Sequence, residues 1–237
     1  AEDGIRDIGV TGVQTCALPI CRFRLAVPDL AVSMFPSLLE RVQRAAPRVA
    51  LQWETPKSST LLDLSEGLVD LALLPEAVKR PEGVSAEPMG ELHWACFMRA
   101  GHPALAKLGK KTWSAWPHIV VGTGGDGRSP VAEAAHRLSL QRTVGLTVPH
   151  FGAVAPLLAG SDMIATLPTI VLADAMKRFG LEARKTPFEL PAMKQVLAWS
   201  TRLTNDPGSV WLRRRFSEAF RAQLRQACRL NTTYSHG

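Results

Sequence analysis

His150-Phe151 stands between a predicted strand and a predicted helix, a position from which side chains project past a sheet end. An imidazole there can donate to an anionic oxygen while the phenyl ring stacks on an aromatic ligand. The competing reading is a structural histidine with its phenylalanine in the core. His118 opens the preceding strand of the same half and is a second candidate, with a hydrogen bond capping that strand as its equal alternative. Ser58-Ser59-Thr60 presents hydroxyls and amides suited to a carboxylate, although one of the three is expected simply to cap the adjoining helix. Arg99 offers a guanidinium to an acidic ligand, against the plainer reading of a solvated surface charge. Thr123 lies in Gly122-Thr123-Gly124-Gly125-Asp126-Gly127, which formally satisfies GxGxxG. A dinucleotide site also needs an acid about 20 residues further on. No Asp or Glu stands between Glu133 and Asp162, so the glycines read as a loop whose amides contribute to a small-molecule site.

Other chemistries lack their residues. His93, His102 and His136 have no metal-ligand spacing with each other or with a cysteine, and the four cysteines (Cys16, Cys21, Cys96, Cys228) form no CxxC pair. No metal, cofactor or disulfide framework is expected. Without a GxSxG elbow or a paired-carboxylate motif, the chain reads as a binding protein and not an enzyme. The 237 residues are 46% apolar, 21% charged and 6% aromatic, with a mean hydropathy of +0.03. This balance excludes a disordered, collagenous or coiled-coil chain, and no apolar run approaches a membrane span. A net charge of +7 favours acidic partners without choosing between nucleic acid and small organic anions.

The elements that must position these residues alternate between strand and helix. Residues 22–27 form a strand, and Met34, Phe35, Leu38, Leu39, Val42 and Ala46 recur at helical spacing up to Pro47. A strand at 49–54, a helix carrying Leu61, Leu64 and Leu68, and a strand at 70–74 complete a parallel α/β unit. Extended segments come next at 84–87 and 92–98. A second α/β run then holds strands at 118–121, 144–148 and 163–166, with helices over 131–140, 152–159 and 169–179. A strand at 196–200 leads to a final helix over 207–224, whose arginines at 213–215, 221 and 225 make it basic. Residues 229–237 read as a frayed tail. Two such halves imply a cleft where strand ends and helix N-termini favour a bound anion.

Residues 1–20, AEDGIRDIGVTGVQTCALPI, resemble the translation of a short-read sequencing adapter and carry no apolar period that continues into the strand at 22–27. Setting them aside leaves 27 basic and 18 acidic residues, or +9. It also places the true N-terminus outside this sequence.

RFRLAVPDLAVSMFPSLLERVQRAAPRVALQWE resembles the opening of the effector-binding domain of LysR-type transcriptional regulators. SSTLLDLSEGLVDLALLPE is similar to that family's helix–turn–strand, with Gly67 and Asp70 making the turn, and RAGHPALA to its crossover loop. VPHFGAVAPLLAGSDMIATLP and NDPGSVWLRRRF resemble the subgroup of aromatic-degradation and nodulation regulators. The likeness covers about residues 22–225. It implies a two-lobed, type 2 periplasmic-binding-protein-like α/β fold with a ligand cleft between lobes, lobe one at 22–93 plus 199–225 and lobe two at 94–198. It also implies a small aromatic or carboxylate effector at His150-Phe151, a homodimer or tetramer, a cytoplasmic location, and promoter DNA bound only through an N-terminal winged helix-turn-helix that this chain lacks. The helix over 31–46 is the candidate dimer contact, packing against a partner's second lobe near 131–140. Pro28 stands where the family commonly has a hydroxyl residue, in a slightly short first loop. The alternatives are a solute-binding protein of a transport system, which shares the fold, and an enzyme on the same scaffold.

Overall fold

The structure is a computed structural model that describes residues 21–122 and 129–233. The adapter-like segment and Thr123 therefore lie outside the described residues. In chain order the first elements are β1 (Arg22–Ala26), α1 (Phe35–Ala45), β2 (Ala50–Glu54), α2 (Thr60–Glu66), β3 (Leu71–Pro75) and β4 (Val84–Leu92). Next come β5 (Trp94–Arg99), α3 (Lys110–Ala115), β6 (His118–Val121), α4 (Pro130–Arg137) and β7 (Val144–Val148). The chain ends with α5 (Val154–Ala159), β8 (Ala165–Pro168), α6 (Ala175–Phe179), β9 (Leu181–Lys185), β10 (Met193–Ser200) and α7 (Pro207–Thr233). Two compact units result. Of the described residues, the first holds 21–28, Met34–Gly90 and Lys194–Ala222; the second holds Asp29–Ser33, those within Glu91–Met193, and 223–233.

The first unit is built on a five-stranded sheet in the order β2-β1-β3-β10-β4. Strands β2, β1 and β3 run parallel, whereas β10 is antiparallel to β3. Leu71, Ala72, Leu73 and Leu74 are all buried, as befits a central strand covered on both faces. The helix expected from the spacing of Met34 to Ala46 begins later than its apolar pattern. A 3-10 segment over Asp29–Met34 precedes it, and Pro36 lies in its first turn, where a missing N–H costs nothing. Helix α2 stops at Gly67, whose φ of +75° needs a residue without a Cβ. Leu68 falls beyond that stop and is 51% exposed, so Leu64 and Val69 fill the core in its place.

One carboxylate fixes the register of this sheet. The Asp70 N–H donates to the Arg24 carbonyl at 2.9 Å, and the Arg24 N–H donates back to Asp70 Oδ2 at 2.8 Å. The side chain thus continues the β1–β3 ladder where the backbone of β3 has not yet joined it. The Arg24 guanidinium lies 3.6 Å from the same carboxylate and donates to the Gly67 carbonyl, so one arginine ties the α2 turn to the strand it feeds.

In the second unit β5 is central to an antiparallel β8-β5-β9 sheet, and β6 pairs with β7 in parallel. A bridge between His118 and Ile164 joins the two. Helix α3 and strand β9 are not predicted from the periodicity. Helix α3 is only six residues long, with Trp113 its buried residue, too little for an apolar period. Strand β9 (LEARK) carries three charges at a sheet edge. Helix α7 buries Leu212, Phe216, Ala219 and Phe220 as its spacing predicts, but runs on to Thr233. Residues 229–233 are therefore helical and not a frayed tail, because buried Gln223 and Ala227 continue the packed face. Among the described residues no helix is long and apolar enough to cross a membrane.

Replacing Asp70, which is 4% exposed, by alanine leaves the half-buried Arg24 N–H without its acceptor. A loss of about 1–2 kcal/mol is expected from a part-buried orphaned donor and a weakened ion pair. Urea unfolding of D70A checks it: an unchanged midpoint contradicts the register role.

Candidate functional site

A cavity of about 170 Å³ opens within the second unit. Three ends of secondary structure converge on it. Strand β6 supplies Val120 and Val121, the start of α4 supplies Ser129, Pro130 and Val131, and β8 supplies Thr166, Leu167 and Pro168. Ser129 caps α4 in the expected manner, its Oγ accepting the Ala132 N–H at 3.1 Å. Trp94, Phe151 and Met193 add apolar surface, and Leu30 contributes from the 29–33 segment. Arg142, in the loop before β7, brings a charge to this wall. Its guanidinium lies 5.9 Å from the centre of the Trp113 ring, within range of a cation–π contact. The result is an apolar chamber with a hydroxyl on two sides and a cation, the pattern that suits a small organic anion.

A polar cluster lies behind the chamber wall. The Trp113 indole N–H donates to Thr166 Oγ1 at 3.0 Å, and Cys96 Sγ lies 3.4 Å from that same oxygen. Burial pushes the Cys96 thiol up to about 12, against the Thr166 and Trp113 hydrogen bonds and the Arg142 charge. His118 is fully buried, its ring 4.3 Å from that of Trp113. Its Nε2 lies 2.9 Å from the Trp113 carbonyl and donates to it, which places the proton on Nε2. Burial pulls the imidazole down from 6.5 to about 4; the Trp113 carbonyl opposes this and the Arg142 charge adds to it.

The residues singled out from the sequence disperse over this picture. Phe151 lines the chamber. His150, whose side chain is 71% exposed, faces the Asp29 carboxylate, 4.0 Å from its Nδ1. His118 is a neutral core histidine bonded to Trp113 and does not line the chamber. Arg99 is held by Asp162 in a two-pronged pair at 2.6 and 2.7 Å, the paired form of the surface charge. Ser58, Ser59 and Thr60 belong to the first unit. Ser59 donates to Asp63 Oδ2 at 2.9 Å, and Thr60 Oγ1 accepts the Lys57 N–H at 2.7 Å. The hydroxyls of Ser59 and Thr60 thus organise their own turn. Sequence reasoning missed Arg142, Thr166, Ser129 and Trp94. Arg142 did leave a signal: it stands in the stretch between Glu133 and Asp162 that holds no acidic residue, so the local sequence there is purely basic.

Two α/β units and a ligand-sized chamber describe a ligand-binding regulatory domain, and similar proteins agree. The fold matches the crystal structure of the regulatory domain of MexT, a transcriptional activator in Pseudomonas aeruginosa, with a TM-score of 0.72 and 27% identity over 86% of this chain and 100% of that one. The HTH-type transcriptional activator NagR of a Ralstonia species is 32% identical over 84% of this chain and 66% of its own length. Nodulation protein D 3 of Mesorhizobium japonicum is 30% identical over 81% of this chain and 64% of its own length. The chain spans about two thirds of the curated relatives it matches. Residues 19–227 match the LysR substrate binding domain, and the chain belongs to that family. Its fold is the type 2 periplasmic-binding-protein-like fold of LysR regulatory domains.

Because the His118 imidazole takes up protons less readily when folded, the unfolded chain binds the extra proton between the two pKa values. The stabilisation is complete above pH 6.5 and is lost as pH falls toward 4, about 3 kcal/mol in all. Melting curves from pH 7 to 4 should show H118Q losing this part of the acid sensitivity; an identical pH slope in wild type and variant contradicts the assignment.

Proposed function

We propose that the chain is the effector-sensing domain of a LysR-type transcriptional regulator, and that the chamber of the second unit receives a small aromatic carboxylate. The observation that carries this reading is Arg142 in a mostly apolar wall. A ring packs on Phe151, Trp94 and Leu167, and the carboxylate turns to the guanidinium, with the Ser129 and Thr166 hydroxyls as further donors. Such a ligand regulates by binding one arrangement of the regulator better than another, and shifts the equilibrium only by that difference. No reaction is assigned to the chain, and relatives that are transcriptional activators disfavour the transport alternative.

Specific recognition of promoter DNA is assigned to an N-terminal domain of the whole regulator, outside the residues matched by the substrate-binding family, and the location to the cytoplasm. Assembly as a homodimer or tetramer uses the segment 31–46, where Leu39 of α1 is 41% exposed, against a partner's segment 131–140, where Leu138 is 39% exposed. Replacing Leu39 by glutamate should shift the sedimentation coefficient toward the monomer; an unchanged distribution moves the interface elsewhere.

Isothermal titration with benzoate tests the chamber. The wild-type chain should bind, and R142Q, which keeps length and polarity but no charge, should weaken binding at least tenfold. Equal affinities in the two proteins defeat the assignment of the ligand charge to Arg142.

A further inference from the structure

The rim of the chamber at Phe151 carries a charge that the chain itself supplies. Asp29 Oδ2 accepts the Phe151 N–H at 2.6 Å and lies 4.0 Å from His150 Nδ1. Its neighbours on both sides of this bond, Leu30 and Phe151, line the chamber. The 29–33 segment is fastened at its other end too, because Gln223 Nε2 donates to Ser33 Oγ at 3.0 Å and to Asp174 Oδ2 at 2.8 Å. Gln223 is 6% exposed, so this second anchor is itself held in the packed interior. The Asp29 carboxylate is therefore a fixed feature of the rim and not a side chain free to swing away.

From this arrangement we infer that Asp29 sets the charge specificity of the chamber: it admits aromatic acids with one anionic group and rejects those with a second. The inference rests on the reading that an aromatic carboxylate occupies the chamber. The volume, about 170 Å³, corresponds to roughly six waters at their liquid share. A single ring with its substituents fills it. When the first carboxylate pairs with Arg142 and the ring packs on Phe151, a second carboxylate turned toward the Leu30–Phe151 side of the chamber approaches Asp29. The Phe151 amide, the natural donor for such a group, already serves Asp29. Like charges brought together at this partly buried rim repel, and specificity arises from that repulsion as well as from the attraction at Arg142.

The test is a four-way titration: benzoate and isophthalate against the wild-type chain and D29N, whose side-chain oxygen still accepts the Phe151 N–H. Wild type should prefer benzoate at least tenfold, equivalent to about 1.4 kcal/mol. In D29N isophthalate should gain at least fivefold while benzoate stays within twofold. D29S, uncharged and smaller, should behave alike, so a folding defect in one variant does not decide the result. Melting temperatures confirm that the variants compared are folded. Benzoate binding with an unchanged preference in both folded variants overturns the role of Asp29 and leaves the chamber standing. Failure of both acids to bind all three proteins overturns the chamber reading and this inference together.

Discussion

The Thr166 hydroxyl is the point through which the second unit is organised. It accepts the Trp113 indole N–H, lies against the Cys96 thiol and belongs to a residue in the chamber wall. Trp113 has no exposed surface, so its polar N–H must find a partner, and Thr166 is the partner that lets α3 close over the sheet. His118 then leans on the same indole and bonds the same residue's carbonyl. The chamber is thus the outer face of a packed polar knot, whose hydrogen bonds fix the position of Thr166 in the chamber wall.

Charge is placed by the same logic in both units. Arg24 sits beside buried Asp70. Arg213 lies over Trp199 at 4.2 Å and spends its donors on the carbonyls of Leu203 and Thr204. Arg214 and Arg215 share Glu218, which holds that carboxyl below its usual range despite the cost of desolvation. The basic character of α7 expected from sequence is therefore partly absorbed within the fold. Arg142 differs in where it stands: its cation borders both the chamber and the Trp113 ring, and its charge is felt by Cys96 and His118 behind the wall.

Much of the architecture was legible because periodicity reports burial. The strands expected at 118–121 and 144–148 are observed with those bounds, and the apolar face of α7 was visible in its spacing. Elements that escaped were those whose stability comes from distant partners. Helix α3 exists to seat Trp113, and β9 is a charged edge strand recruited by β5. The candidate site was less legible for a related reason. His150 and His118 have the right chemistry, but one faces Asp29 and the other is sealed in the core. Thr166 and Trp94 are ordinary residues made significant only by what the fold brings beside them. No local spacing encodes that the chain after β1 returns a carboxylate to the Phe151 amide across more than a hundred residues of sequence.

Cys96 lies in the heart of this knot with a thiol that keeps its proton throughout the physiological range. Nucleophilic sulfur chemistry requires the thiolate, so oxidants and alkylating agents in the medium have little to attack there. Cys228, exposed on α7, is the more accessible sulfur. Ageing in air will therefore mark Cys228 before it reaches Cys96, so that cross-linking of the outer sulfur leaves the buried hydrogen-bond cluster around Thr166 in place.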